Sequence, residues 1–269
     1  MALVKLDELI ASGAHFGHRI NRLNPKMKPY IFGRRNQIHI IDLRRTVRGL
    51  VAAAKLVEKV VASGKDALIV GTKRQARGVV SAEAMRAGMP YVNERWLGGT
   101  LTNFTTILSR MQRLHELEGM ETTGEMERLG KKEVSALRRE LRKVRRNLGG
   151  LRKLQKLPGI VVVVDAGHES TAIHEAAKLG IPSVALADTD CNPDEIDIVV
   201  PSNDDSIATI GIFLGRMADA CVAGKLQRVA LGAQDGDAQA AQQMEYIRIA
   251  APLDKAESAA QSGSDEGGD

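Results

Sequence analysis

The chain has 269 residues, 43% of them hydrophobic but only 3% aromatic, so any core must be built from Val, Ile, Leu and Ala. Its two cysteines, Cys191 and Cys221, lie in no CxxC pair and cannot form a disulfide framework, which fits a reducing cytoplasm. The acid-containing start MALVKLDELIASG is unlike a secretory or transit peptide, and no apolar run approaches the roughly 20 residues that span a bilayer, so no membrane partner is expected.

The net charge of +5 hides a strong asymmetry. Residues 19–48 carry nine Lys/Arg against Asp42 alone, and residues 131–156 carry eleven against Glu133 and Glu140. Residues 232–269 reverse the sign, with eight acids against Arg248 and Lys255. Two basic blocks and an acidic end imply a polyanion-binding body with a solvated tail.

In chain order, Leu3, Leu6, Leu9 and Ile10 predict a short amphipathic helix. The loop HFGHRINRLNPKMKP follows, where Pro25 and Pro29 argue against regular structure. Tyr30–Phe32 and Ile38–Ile41 flank Gly33-Arg-Arg-Asn-Gln as a small hairpin. A helix is expected over about 43–62, ended by Ser63-Gly64.

Strand and helix then alternate. Ala67–Val70, Tyr91-Val92, Ile160–Val164, Ser183–Ala187 and Ile198–Val200 read as strands. Helices are expected from the Gly71 turn to about Ala87, over about 170–179, and over about 205–223. Fully apolar strands separated by helices imply a parallel sheet covered on both faces. The expected fold is α/β, a doubly wound five-stranded parallel sheet of flavodoxin-like type.

An insertion interrupts the sheet. Apolar residues at Phe104, Ile107, Met111, Leu114 and Leu117 resume at Val134, Leu137, Leu141, Val144, Leu148 and Leu151, the second series in heptad steps. Joined across Gly119–Gly130, they predict an antiparallel coiled-coil hairpin. The expected organisation is a globular domain of residues 1–103 and 157–231, whose residues 1–65 form an N-terminal extension carrying the first basic block. The hairpin covers 104–156, and an acidic disordered tail covers 232–269.

Several motifs are candidates for chemistry. Gly71-Thr-Lys-Arg-Gln-Ala-Arg-Gly78 follows a strand but matches neither GxxxxGK[ST] nor GxGxxG. What remains is a turn bearing Lys73, Arg74 and Arg77, able to hold RNA phosphates or to be simply solvated. His15-Phe-Gly-His18 has no further metal ligands near it in sequence. Arg95 and Trp96, the only tryptophan, precede Gly98-Gly99 and Asn103; the indole can stack on a base or pack the hinge. Asp188, Asp204 and Asp205, with His168 after the preceding strand, form a conceivable magnesium or zinc site, weighed against ordinary loops and a helix cap. No nucleophile–base arrangement such as GxSxG occurs, and from the residues alone a nucleotide-binding α/β enzyme with a coiled-coil arm is the rival to a polyanion binder.

Taken together, the ordered series His15–His18, Asn24–Pro29, Tyr30–Gly33, Arg35-Asn36, His39–Asp42, Gly71–Lys73, Arg95–Gly99, Leu101–Asn103, Leu148–Gly150, Gly180–Pro182, Asp188-Thr189 and Pro201–Asp205 resembles the bacterial small-subunit ribosomal protein two family. The resemblance runs from about residue 5 to residue 225. It implies an α/β domain with a protruding coiled-coil hairpin and no enzymatic activity. It further implies binding to 16S ribosomal RNA between the head and body of the small subunit, within the cytoplasmic ribosome. Neighbouring small-subunit proteins are implied partners, including the large mRNA-capturing one, and no cofactor is required. On this reading Arg19, Arg22, Lys26, Lys28, Arg34, Arg35, Lys73, Arg74, Arg95, Trp96 and Asn103 face RNA. Leu23 stands where the family usually has an aromatic residue, and the tail carries no family expectation.

Overall fold

The computed structural model describes residues 4–234. A first compact unit reaches Lys225, and a second begins at Leu226. The expectation of a disordered tail falls, beyond Gln234, outside the described residues.

The central sheet is parallel, with strands β4 (Ala67–Val70), β5 (Tyr91–Val92), β6 (Ile160–Val164), β7 (Ser183–Ala187) and β8 (Ile198–Pro201) in the order β5-β4-β6-β7-β8. Counted along the chain this is 2-1-3-4-5, the flavodoxin-like order, with the switch point between β4 and β6. Alternation along each strand separates two cores. Ala67, Ile69, Ile160, Val162, Val164, Val184 and Leu186 lie in one, with Leu50, Val57, Val80 and Phe213. Leu68, Val70, Val161, Val163, Ala185 and Ala187 lie in the other, with Ile107, Met111, Leu148 and Ile173. One core is thus roofed by helices α2 (Leu43–Ala62), α3 (Arg77–Ala87) and α7 (Ile207–Gln234). The other is roofed by α6 (Ser170–Lys178) and the roots of α4 (Phe104–Thr122) and α5 (Lys131–Leu148). Apolar residues on both strand faces are the reason the sheet needs helices on both sides.

Residues 43–62 form the expected helix, with Asp42 accepting from the Arg44 N–H at 2.9 Å as its N-cap. Other boundaries differ. Helix α1 (Leu6–Ala11) buries only Leu9 and leaves Leu6 and Ile10 exposed. The segment after it is not irregular: Phe16–Arg19 forms strand β1, and Pro25–Tyr30 forms a 3-10 helix. Pro25 sits in the first turn, where its missing N–H costs nothing. β1 pairs with β3 (Ile38–Ile41), which pairs with β2 (Ile31–Arg35), making a small antiparallel sheet. Asn36 and Gln37 both have positive φ, as a two-residue hairpin turn of type I′ requires. Helix α3 starts at Arg77, so Lys73 and Arg74 stand in the turn before it. Over its 24 residues 207–230, α7 is long and apolar enough to cross a membrane by composition. Yet Ile210, Phe213, Leu214 and Met217 sit in the core of the sheet.

Helices α4 and α5 pack on each other, and Leu114, Leu117, Met126 and Leu141 make a small buried cluster between them. Leu141, Leu148 and Leu151 are the buried members of the heptad series, while Val134, Leu137 and Val144 are half-buried.

Candidate nucleic-acid interface and cation cluster

The chain meets its functional residues at the carboxyl ends of the parallel strands, where α/β sheets place their sites. Gly71 ends β4 because a Cβ there would come within 2.9 Å of Val80 Cγ2 and 3.1 Å of Val164 Cβ. Thr72 follows, fixed by Glu169, which accepts from its N–H at 2.7 Å and its hydroxyl at 2.5 Å. Lys73 then reaches across to Asp165 (3.2 Å), Asp204 (2.7 Å) and Asp205 (2.7 Å). Asp165 holds φ +67 just past β6, a strained conformation for a non-glycine residue of the kind that gathers at such sites.

The small sheet delivers His18 to the same place. Gly17 permits it, since a Cβ there would lie 2.6 Å from Thr189 Cγ2. The His18 N–H donates to Thr189 Oγ1 at 3.0 Å, and the Asn24 N–H donates to the Thr189 carbonyl at 2.9 Å. His18 Nδ1 then stands 3.0 Å from Asp188 Oδ2, with Asp190 and Asp205 at 3.8 and 3.9 Å from Nε2. Contact with Asp188 outweighs burial and raises the His18 pKa to about 9. Burial, with Asp165 and Asp188 nearby, pushes the Asp204 carboxyl up to about 7 against the pull of Lys73. Lys73 itself loses from burial but gains more from Asp204 and Asp205, so its ammonium is held above the ordinary range. Lys73 pulls Asp205 below its usual value.

His18, Asp188 and Asp204 offer one donor atom each, all within 4.8 Å of one another. This differs from the expected set in its histidine. His168 is exposed and gives only its backbone N–H to Asp165, at 2.9 Å. Sequence spacing could not find His18, because its partners lie some 170 residues away and β1 was unforeseen. Asp205 is half-exposed and engaged by Lys73.

Around this cluster the first basic block is displayed outward. Arg19, Arg22, Lys28, Arg34 and Arg35 are exposed and form no ion pair with the described residues, although Arg22 lies near enough to Asp205 to help hold its carboxyl low. Lys26 pairs with Asp194 at 2.5 Å. Phe32, on the same hairpin as Arg34 and Arg35, is 80% exposed, and sequence reading had not singled it out. Arg45 stands 5.6 Å over the Tyr30 ring. Arg74 and Arg95 are exposed without ion pairs to the described residues, whereas Arg77 is held by Glu94 at 3.1 Å.

The hinge before α4 is organised by a buried carboxylate that the sequence did not reveal. Glu175 Oε1 accepts from Trp96 Nε1 (3.0 Å) and the Gly99 N–H (2.8 Å). Its Oε2 accepts from the N–H groups of Leu101 (2.9 Å) and Thr102 (3.2 Å) and from the Thr102 hydroxyl (3.2 Å). Burial alone would raise its pKa, but Trp96 and the backbone donors prevail and hold it low. Trp96 is half-buried against the second core, so the packing alternative describes its position. Asn103 is exposed, and its side-chain oxygen accepts from Thr106.

The second basic block divides by face. Arg145 and Arg152 of the block, beside the α4–α5 seam, pair with Glu118 and Glu121 and with Glu118 respectively, while Arg113 of α4 pairs with Glu116 and Glu140. Lys131, Lys132, Arg138, Arg139, Arg142, Lys143 and Arg146 are exposed and form no ion pair with the described residues. At 100° per residue these seven fall within an arc of about 140° along about 22 Å of helix.

The ribosomal protein S2 family model matches residues 9–224. The chain belongs to the ribosomal protein S2 family. The small ribosomal subunit protein uS2 of Rhodopirellula baltica is 51% identical over 227 residues, covering 84% of this chain and 87% of that relative. The uS2 of Synechocystis is 50% identical over 225 residues, 84% of each chain. The uS2c of Rhodomonas salina is 51% identical over 235 residues, covering 87% of this chain and 97% of that one. As a member of this family the protein is a structural component of the small ribosomal subunit rather than an enzyme, and it serves translation within the cytoplasmic ribosome.

Proposed function

We propose that this S2-family chain binds 16S ribosomal RNA between the head and body of the small subunit through its N-terminal extension, and helps dock the large mRNA-capturing protein. The observation that carries RNA binding is the outward display of Arg19, Arg22, Lys28, Arg34 and Arg35, none of which forms an ion pair with a described residue. Cations without internal partners release counterions from a phosphate backbone on contact, which gives affinity and orientation without reading sequence. Arg74, Arg95 and Asn103 extend this face. Lys73 and Trp96 act from within: Lys73 is neutralised by three aspartates, and Trp96 is tied to Glu175, so both position the surface. Residues 1–65 serve as the RNA-facing extension of a domain completed by 66–103 and 157–231. Residues 104–156 serve as an antiparallel coiled-coil arm whose outer face braces RNA, and the acidic residues 232–269 as a separate tail. Exposed Phe32, beside Arg34 and Arg35, gives the docking surface an apolar anchor of the kind protein partners use. Filter binding of 16S fragments at rising salt tests the RNA reading. A steep loss with salt that flattens in an R34Q/R35Q variant supports it, and a shallow slope in the wild type refutes it.

We further read His18, Asp188 and Asp204 as a structural cation site. Mixed nitrogen and carboxylate donors suit zinc better than magnesium, and a bound ion would stabilise the join between the small sheet and β7. Calorimetric titration with zinc should give one equivalent of heat in the wild type and none in H18A.

A further inference from the structure

At the amino ends of the parallel strands, opposite the cation cluster, the surface opens into a cleft of about 470 Å³. Its rim carries Lys65, Lys153 and Lys156, and Asp66 is the one acid among its lining residues. The three lysines are exposed and form no ion pair with the described residues. The last two are the end of the second basic block, beyond α5, where Arg152 has already been neutralised by Glu118. The floor is aliphatic. Leu157 and Leu179 line it while being 43% and 40% exposed, among the few large apolar side chains this chain leaves open to water. Gly64 and Gly180, both at positive φ, present bare backbone at its edge, and a Cβ on Gly180 would meet nothing within 4 Å.

We propose that this cleft holds an unpaired nucleotide of an RNA strand, its phosphate on the lysines and its base and ribose on the leucines. The inference rests on the reading of the chain as an RNA binder. The volume suits one nucleotide, since small-ligand pockets begin near about 300 Å³. Unneutralised cations over an apolar floor match a group that is anionic at one end and flat and apolar at the other. An acidic peptide supplies the charge but no flat face. Duplex RNA keeps its bases stacked inside, and single strands are where proteins reach them. No aromatic ring lines the cleft, so the base is held by aliphatic contact and bare backbone, and little preference among bases follows.

The test is an amide NMR titration of the isotopically labelled full chain, following Gly64, Gly159 and Gly180. The probes are a single-stranded RNA hexamer, an RNA duplex, AMP, inorganic phosphate and a hexaglutamate peptide. The hexamer is expected to shift the three glycines in the wild type but not in K153Q/K156Q, a surface variant whose unchanged melting curve verifies its fold. Losing two phosphate contacts should also lower the salt slope of hexamer binding by about 1.4. Hexamer shifts confined to the N-terminal extension or α5 overturn the cleft assignment and leave RNA binding intact; silence toward every RNA overturns both. Shifts by AMP, phosphate or the peptide at concentrations as low as the hexamer's overturn the assignment to RNA.

Discussion

Replacing Glu175 by Gln tests the claim that one carboxylate fixes the hinge between the sheet and α4. The wild-type carboxylate satisfies four N–H donors and a hydroxyl. A glutamine oxygen can keep Trp96 and Gly99, but its NH₂ then faces the N–H groups of Leu101 and Thr102. Leaving the buried Leu101 donor unpaired costs about 1–3 kcal/mol and the part-buried Thr102 donor less, so a loss of about 3 kcal/mol is expected at most. For a chain of this size that lowers Tm by roughly 6–12 °C. Trp96 is the only tryptophan, so fluorescence excited selectively in tryptophan, clear of the three tyrosines, reports on this hinge alone. E175Q should red-shift the emission of the native state as well as lower Tm. The pH dependence follows from the depressed carboxyl pKa. Its stabilisation is fully present above the unfolded value of about 4.3 and is lost as pH falls through the lower folded value. The gap in Tm between wild type and E175Q should therefore be widest near neutrality and close in acid. An unchanged emission spectrum with a Tm within about 2 °C of wild type would refute the account.

Other perturbations follow from the same geometry. Gly17→Ala forces a Cβ against Thr189 and Asp188, and should cost about 1–3 kcal/mol in thermal melts while weakening RNA binding through the displaced extension. Leu141→Ala empties the cluster between α4 and α5; a loss of about 2–5 kcal/mol should appear as faster hydrogen exchange in those helices while β6 and β7 keep their protection. R138Q/R142Q/R146Q removes three cations from the outer arc of α5 and should lower the salt slope for duplex RNA by about 2–3, with α-helical circular dichroism unchanged. An unchanged slope would mark that arc as merely solvated.

The central sheet was legible because its signal is local. Val161 to Val164 is an uninterrupted apolar run, and residues on both faces of one strand need cover, so a two-sided fold follows from a few residues of sequence. The candidate site was legible only in part, because its decisive contacts are distant in the chain. Strand β1 is short and half-exposed, with no alternation to betray it, and what holds it is a pairing with β3 and a join to Thr189. Without β1, His18 cannot be seen near Asp188, and the choice of His168 followed from its place after a strand. Glu175 reads as an ordinary helix residue until the hinge folds onto it. Lys73 reads as free because its three carboxylates stand beyond two other strands, Asp165 after β6 and Asp204 and Asp205 after β8.

Hydroxyl-radical footprinting of 16S RNA tests the central claim most directly, using small subunits assembled with and without the protein. The account predicts protection at the junction of head and body, weakened where R34Q/R35Q replaces the wild type. Subunits that contain the protein but show no protected backbone there would contradict it.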